Sequence, residues 1–116
     1  MLRSAVLALL IAAAPAAAGA EPRYGQVGKM TVKPGQRDPV IALLLAGSGG
    51  MPGCISYTVA KDAGEADAIW ISEVWDSKAS HDASLKLPAL RAAIARARPL
   101  ITGFPVHAET IPVEAR

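Results

Sequence analysis

One short stretch, Glu73-Val74-Trp75-Asp76-Ser77-Lys78-Ala79-Ser80-His81, gathers a carboxylate, an indole and an imidazole. Imidazole exchanges a proton near neutral pH, which suits it to general acid–base work. Glu73 stands between large apolar residues, so if buried it must be paired, and an arginine on a helix is the expected partner. Arg91 and Arg98 supply two candidates, since helical spacing puts them on one face. Metal chemistry is not indicated. The two histidines, His81 and His107, lie 26 positions apart with no ligand-spaced acidic or thiol cluster around them. The single cysteine, Cys54, opens an apolar run and reads as a small buried hydrophobe. It cannot close an internal disulfide, so stability must come from packing. The glycines at 47, 49, 50 and 53 lack the spacing and the trailing Lys-Ser/Thr of a phosphate loop, and they read as a connector.

The elements that must position these groups follow from the apolar pattern. Tyr24 to Val32 suits a strand, and Lys33-Pro34-Gly35 reads as a turn. A helix is predicted from an Asp38 cap and Pro39 at its first position through Ala46. Cys54 to Lys61 alternates as a strand, with Tyr57 on the same side as Ile55 and Val59. Asp62 to Asp67 is a polar turn returning the chain into a strand from Ala68 to Trp75. The segment Lys78 to Leu87 reads as helix, Pro88 interrupts it, and Ala89 to Ala97 resumes with Leu90, Ala93, Ile94 and Ala97 at helical spacing. Pro99 and Gly103 end that region, and Phe104 to Val113 alternates as a last strand with Pro105 near its start. The order β-α-β-β-α-β folds as a four-stranded antiparallel sheet with both helices on one side, the ferredoxin-like arrangement of the α+β class. The strand Ala68 to Trp75 is apolar on both faces, yet helices cover only one. A second copy packed sheet against sheet is the simplest cover, so a homodimer is expected, and a monomeric mass by light scattering would count against it.

The N-terminus is built for export. Arg3 precedes an unbroken apolar run from Ala5 to Ala14, and Ala18-Gly19-Ala20 places alanine at both positions that a signal peptidase must fit. Residues 1–20 are therefore predicted to be a cleavable signal peptide cut after Ala20, leaving 21–116 as one domain in the periplasm or outside the cell. The first cysteine lies far beyond the apolar run, which removes a lipoprotein anchor. The mean hydropathy of +0.30 is inflated by the leader, so no membrane anchor is expected in the product. About 95 residues can bury one core and little more. The net charge of +2 is nearly balanced, which argues against nucleic acid as a partner.

The element order, with Lys29-Met30-Thr31-Val32-Lys33-Pro34-Gly35, Met51-Pro52-Gly53-Cys54-Ile55-Ser56-Tyr57 and Ile69-Trp70-Ile71-Ser72-Glu73-Val74-Trp75-Asp76-Ser77-Lys78-Ala79-Ser80-His81, resembles the antibiotic biosynthesis monooxygenase family of dimeric α+β barrels, which includes small quinol monooxygenases. The likeness runs from about Tyr24 to Thr110, and its sharpest part is Glu-x-Trp-x-Ser-x-x-x-His. It implies oxidation of a quinol or phenol by molecular oxygen, with no flavin, haem or metal cofactor. On that likeness Trp75 is the flat wall of the pocket and His81 takes the substrate's proton. Tyr57 would donate a hydrogen bond, Glu73 would lie at the substrate, and Arg91 or Arg98 would support developing negative charge. Each has a purely structural alternative: Trp75 as core or interface, His81 as a structural hydrogen-bonder, the arginines as a solvated helix face. Quinol-oxidising members carry an asparagine where this chain has Ile71. Haem-degrading relatives need an asparagine and a histidine near the places of Gly28 and Leu85, so haem degradation is not expected. The alternative function is a non-catalytic barrel that binds a small apolar molecule.

Overall fold

The computed structural model describes residues 21–115; the predicted leader, residues 1–20, lies outside the described residues. Strand β1 is Tyr24–Val32, helix α1 Arg37–Gly47, strand β2 Cys54–Lys61, strand β3 Ala68–Trp75, helix α2 Lys78–Ser84, helix α3 Pro88–Ala97 and strand β4 Ile101–Thr110, with one 3-10 turn over Arg98–Leu100. The sheet order is β2-β3-β1-β4 with every pair antiparallel, which is the expected ferredoxin-like topology of the α+β class. Register sets the faces. Gln26 pairs with Glu73 and Glu73 with Tyr57, so those three side chains rise from one line across the sheet, with Ile71 and Val59 beside them.

Helix α1 starts at Arg37 rather than after Asp38, and its N-cap Gln36 makes no side-chain capping bond. Asp38 instead lies in the first turn and pairs with Lys61 at 2.9 Å. Pro88 does what its missing N–H suits it for, opening α3 at its first turn, while Leu87 before it is held extended. Strand β4 is the largest departure, because it begins at Ile101 and takes Gly103 into the strand. Its register against β1 shifts twice between Lys29 and Val32, so β4 bulges over Thr102 to Pro105, and an edge position lets Pro105 go without a ladder hydrogen bond. Helix α1 can approach α3 closely because Gly47 has no side chain; a Cβ there would stand 2.4 Å from that of Ala93.

Two apolar clusters fill the space between sheet and helices. Met30, Val32, Val40, Leu44, Ile69 and Ala97 form one, and Tyr24, Met51, Trp75 and Leu90 the other. On the outer sheet face Trp70 is half-buried, with Lys29 Nζ 5.7 Å from its ring centroid and its indole N–H donating to Asp62 Oδ2 at 2.7 Å. The outer face is thus more polar than the strand alone predicts.

Asp62 anchors the β2–β3 hairpin. Its Oδ1 accepts from the backbone N–H groups of Gly64 and Glu65, each at 2.8 Å. The Glu65 N–H, then the Trp70 indole and the Gly64 N–H, hold its carboxyl well below the usual carboxylate range. A folded-state value below the unfolded one means that the unfolded chain binds more protons in acid, so this stabilisation is complete above about pH 4 and is lost as pH falls below it. Urea midpoints taken at neutral and acid pH should therefore drop more steeply for the native protein than for Asp62→Asn; parallel acid limbs would refute the anchor.

Candidate active site

A cavity of about 220 Å3 opens between the two apolar clusters. Met30, Leu44 and Ile71 line it from one cluster, and Met51, Leu90 and Ile94 from the other. Its polar lining comes from Gln26, Tyr57, Glu73, His81 and Ser84. Leu85 and Phe104 are its most exposed lining residues, at 46% and 65%, and mark the mouth between the end of α2 and the bulged part of β4. A smaller hollow of about 140 Å3 continues from it over Gly28 to His107.

Helix α2 delivers His81. Ser77 caps the helix, its hydroxyl accepting from the Ser80 N–H at 3.1 Å. Gly53 lets this turn sit close to the start of β2: it has φ +81°, and a Cβ there would stand 2.5 Å from Ser80 Oγ. The His81 ring is then wedged between two aromatic rings, tilted on Tyr24 with centroids 5.0 Å apart and edge-to-face with Trp75 at 5.6 Å. His81 Nδ1 lies 3.0 Å from Asp82 Oδ1 and Nε2 lies 3.0 Å from Gln26 Nε2.

Gln26 is the hub of the site. Its amide nitrogen also donates to Glu73 Oε2, and its oxygen lies 3.2 Å from His107 Nε2. Tyr24, directly beside it, donates its hydroxyl to Glu109 at 3.0 Å. Burial, then the Glu109 bond, pushes the Tyr24 phenol up to about 12. Burial, then the Glu73 charge, does the same to Tyr57, with the Ser48 hydroxyl pulling part-way back; it too reaches about 12. Both phenols remain protonated and can donate. Burial followed by the Glu73 charge also raises the Cys54 thiol, which keeps that sulfur out of nucleophilic chemistry. His81, and then Lys78, lower the Asp82 carboxyl, so an ionised carboxylate stands at Nδ1.

The residues singled out from sequence divide clearly. Tyr57, Glu73 and His81 come together on the cavity, whereas Trp75 is fully buried behind His81 and does not line it. Glu73 takes Gln26 as its partner in place of a helix arginine. Arg91 lies on the exposed side of α3; Arg98, also exposed, does not line the cavity but borders an open hollow that adjoins it through Ile94, Ile101 and Phe104. Cys54 is half-buried against the Trp75 cluster. Sequence reasoning missed Gln26, although its place between Tyr24 and Met30 on a core-facing line of β1 was a signal. It brings to the cavity, from the next strand, a carboxamide that Ile71 cannot supply.

Known proteins agree with this architecture. Residues 23–96 match the antibiotic biosynthesis monooxygenase family. A crystal structure from Chloroflexus aurantiacus J-10-fl, bearing that family's name, is 55% identical with a TM-score of 0.79, covering 81% of this chain and 96% of that one. The fold recurs in PA3566 from Pseudomonas aeruginosa, 13% identical with a TM-score of 0.71 over 82% of this chain and 98% of that one. It recurs also in SnoaB, a cofactor-independent oxygenase from Streptomyces nogalater, 19% identical with a TM-score of 0.65 over 81% and 96% of the two chains. No curated protein matches the chain significantly. Because the matched segment runs from β1 through nearly all of α3 and so carries Gln26, Tyr57, Glu73 and His81, the chain belongs to the antibiotic biosynthesis monooxygenase family.

Proposed function

We propose that this protein is a cofactor-independent monooxygenase that oxidises a phenol or quinol with molecular oxygen, acting as an exported homodimer in the periplasm or outside the cell. The observation that carries the reading is a sheltered apolar cavity in which His81, Glu73, Tyr57 and Gln26 converge. A cavity of about 220 Å3 suits one substituted ring, since an apolar void of about 150 Å3 already accepts benzene. The substrate hydroxyl gives its proton to His81 Nε2, and the imidazolium so formed faces the Asp82 carboxylate at Nδ1. The resulting phenolate is electron-rich enough to reduce dioxygen directly. For a hydroquinone, one oxygen atom enters the ring and the other leaves as water, and the ring supplies all four electrons that dioxygen takes up. The cavity holds the anion and the oxygen together and keeps bulk water from the intermediate. The SnoaB likeness and the family membership support the same class of chemistry.

Oxygen-electrode assays of the mature domain with a panel of one-ring hydroquinones and phenols test this, together with the mass by light scattering. Uptake of one dioxygen per substrate, by a particle of two chains, is the expected result. If the compounds bind and quench tryptophan fluorescence without any uptake, the protein is a ligand-binding barrel and the enzymatic reading fails.

A further inference from the structure

The geometry points to Gln26 as a further catalytic residue, the hydrogen-bond donor to the phenolate oxygen. This role rests on the phenol chemistry proposed above and adds a residue to it. The amide has two hydrogens, and both are engaged within the protein. One goes to Glu73 Oε2 and the other to His81 Nε2, 3.0 Å away. Glu73, as a carboxylate, only accepts, so it fixes which end of the amide faces it. The amide oxygen then meets His107 Nε2 at 3.2 Å, which must carry a hydrogen there. It follows that His81 Nε2 is the accepting nitrogen and that its proton lies on Nδ1, donated to Asp82 Oδ1.

The lone pair required for catalysis is therefore occupied by an N–H of Gln26 until a substrate arrives. A hydroxyl that reaches His81 Nε2 must displace that N–H. The freed donor then sits half-buried beside the incoming oxygen, and leaving it unpaired is costly. The entering oxygen is the acceptor at hand, because Glu73 already holds the other amide hydrogen. The hydroxyl consequently seats between the two side chains, donating to His81 and accepting from Gln26.

When the O–H bond breaks and the N–H bond to His81 forms, the electron pair stays on an oxygen that already has a donor aimed at it. The surroundings make such a donor necessary. Burial raises the Tyr57 phenol and the Glu73 charge raises it further, and a phenol bound in the same cavity meets the same opposition. The polar groups facing it are Glu73 from β3, His81 and Ser84 from α2, Tyr57 from β2 and Gln26 from β1; the Ser84 hydroxyl already donates to the His81 carbonyl, which leaves Gln26 and Tyr57 as the neutral donors.

The test uses 4-nitrophenol, a one-ring probe whose ionisation is read from its absorbance. Gln26→Met keeps length and bulk and removes both hydrogens. It should favour the neutral form of the bound probe by about ten- to a hundredfold relative to the native protein, as expected for losing one hydrogen bond to an anion. In the native protein the Gln26 side-chain amide resonances should also shift when the probe binds, a readout that needs no variant to fold. Equal ionisation midpoints in the two proteins, stationary amide resonances or a probe that does not bind would each overturn the assignment. A clear Gln26 effect on the probe, with no hydroquinone drawing oxygen, would leave the donor standing and remove the oxygenase reading alone.

Discussion

His81→Ala is expected to lower the kcat/KM of quinol oxidation by about a hundred- to a thousandfold, within the range that a positioned general base contributes. Only the deprotonation step is affected, which gives the prediction a second arm. The variant's rate should go on rising with pH until the substrate ionises in solution, where the native enzyme has already levelled off. A phenol bearing strongly electron-withdrawing groups arrives as its anion, and for that substrate native and variant rates should lie close together. The cavity itself should survive, because the ring removed is one wall among many and its neighbours Tyr24 and Trp75 belong to the buried cluster beneath it. Oxygen uptake across pH with two phenols of different acidity measures both arms. A variant that keeps full activity on a weakly acidic phenol would remove His81 from the proton-transfer role.

His81 is legible in the sequence because the stretch that separates it from Glu73 and Trp75 is short and runs from a strand through a cap into a helix. Local rules are enough there: Ser77 caps, α2 turns, and the imidazole comes back over the end of β3. Gln26 was not legible in the same way. Its role depends on β1 lying between β3 and β4, so that Glu73 reaches it from one side and His107 from the other. Those contacts span 47 and 81 positions, and period-2 alternation carries no information at such range. Topology was readable, but register was not. The same limit explains the expected arginine partner for Glu73, which charge balance suggested and the closer amide displaced. It also explains β4, whose start at Ile101 depends on pairing with Val32 across a bulge that no local pattern announces. The two core clusters follow from apolar spacing, whereas the gap left between them depends on how Met30, Ile71 and Ala97 pack from three different elements. Apolar residues that would equally fill a solid core do not advertise a cavity.

Trp75 gives the sharpest separation between a residue that builds the site and one that acts in it. Its side chain is fully buried at the end of β3, paired across the sheet with Tyr24 and Cys54, and its edge-to-face contact sets the His81 ring from behind. Trp75→Ala should therefore cost about 3–5 kcal/mol of unfolding free energy, which is a large share of what a small domain has. For a domain of this size that lowers the melting temperature by more than about 10 °C. Trp75→Phe is the informative companion. Among the described residues the indole Nε1 finds no hydrogen-bond partner, so phenylalanine removes an unsatisfied buried donor while losing part of the ring volume. These terms oppose each other, each of about 1–3 kcal/mol, and the net change should stay below about 2 kcal/mol. A pocket wall would behave in the reverse manner: truncation would raise KM and leave stability nearly unchanged, because a wall facing an empty cavity has few contacts to lose. Thermal and urea unfolding of the two variants, beside their KM for a one-ring hydroquinone, decides between these outcomes. A stable Trp75→Ala protein with impaired binding would return the indole to the substrate and require the cavity to extend behind His81.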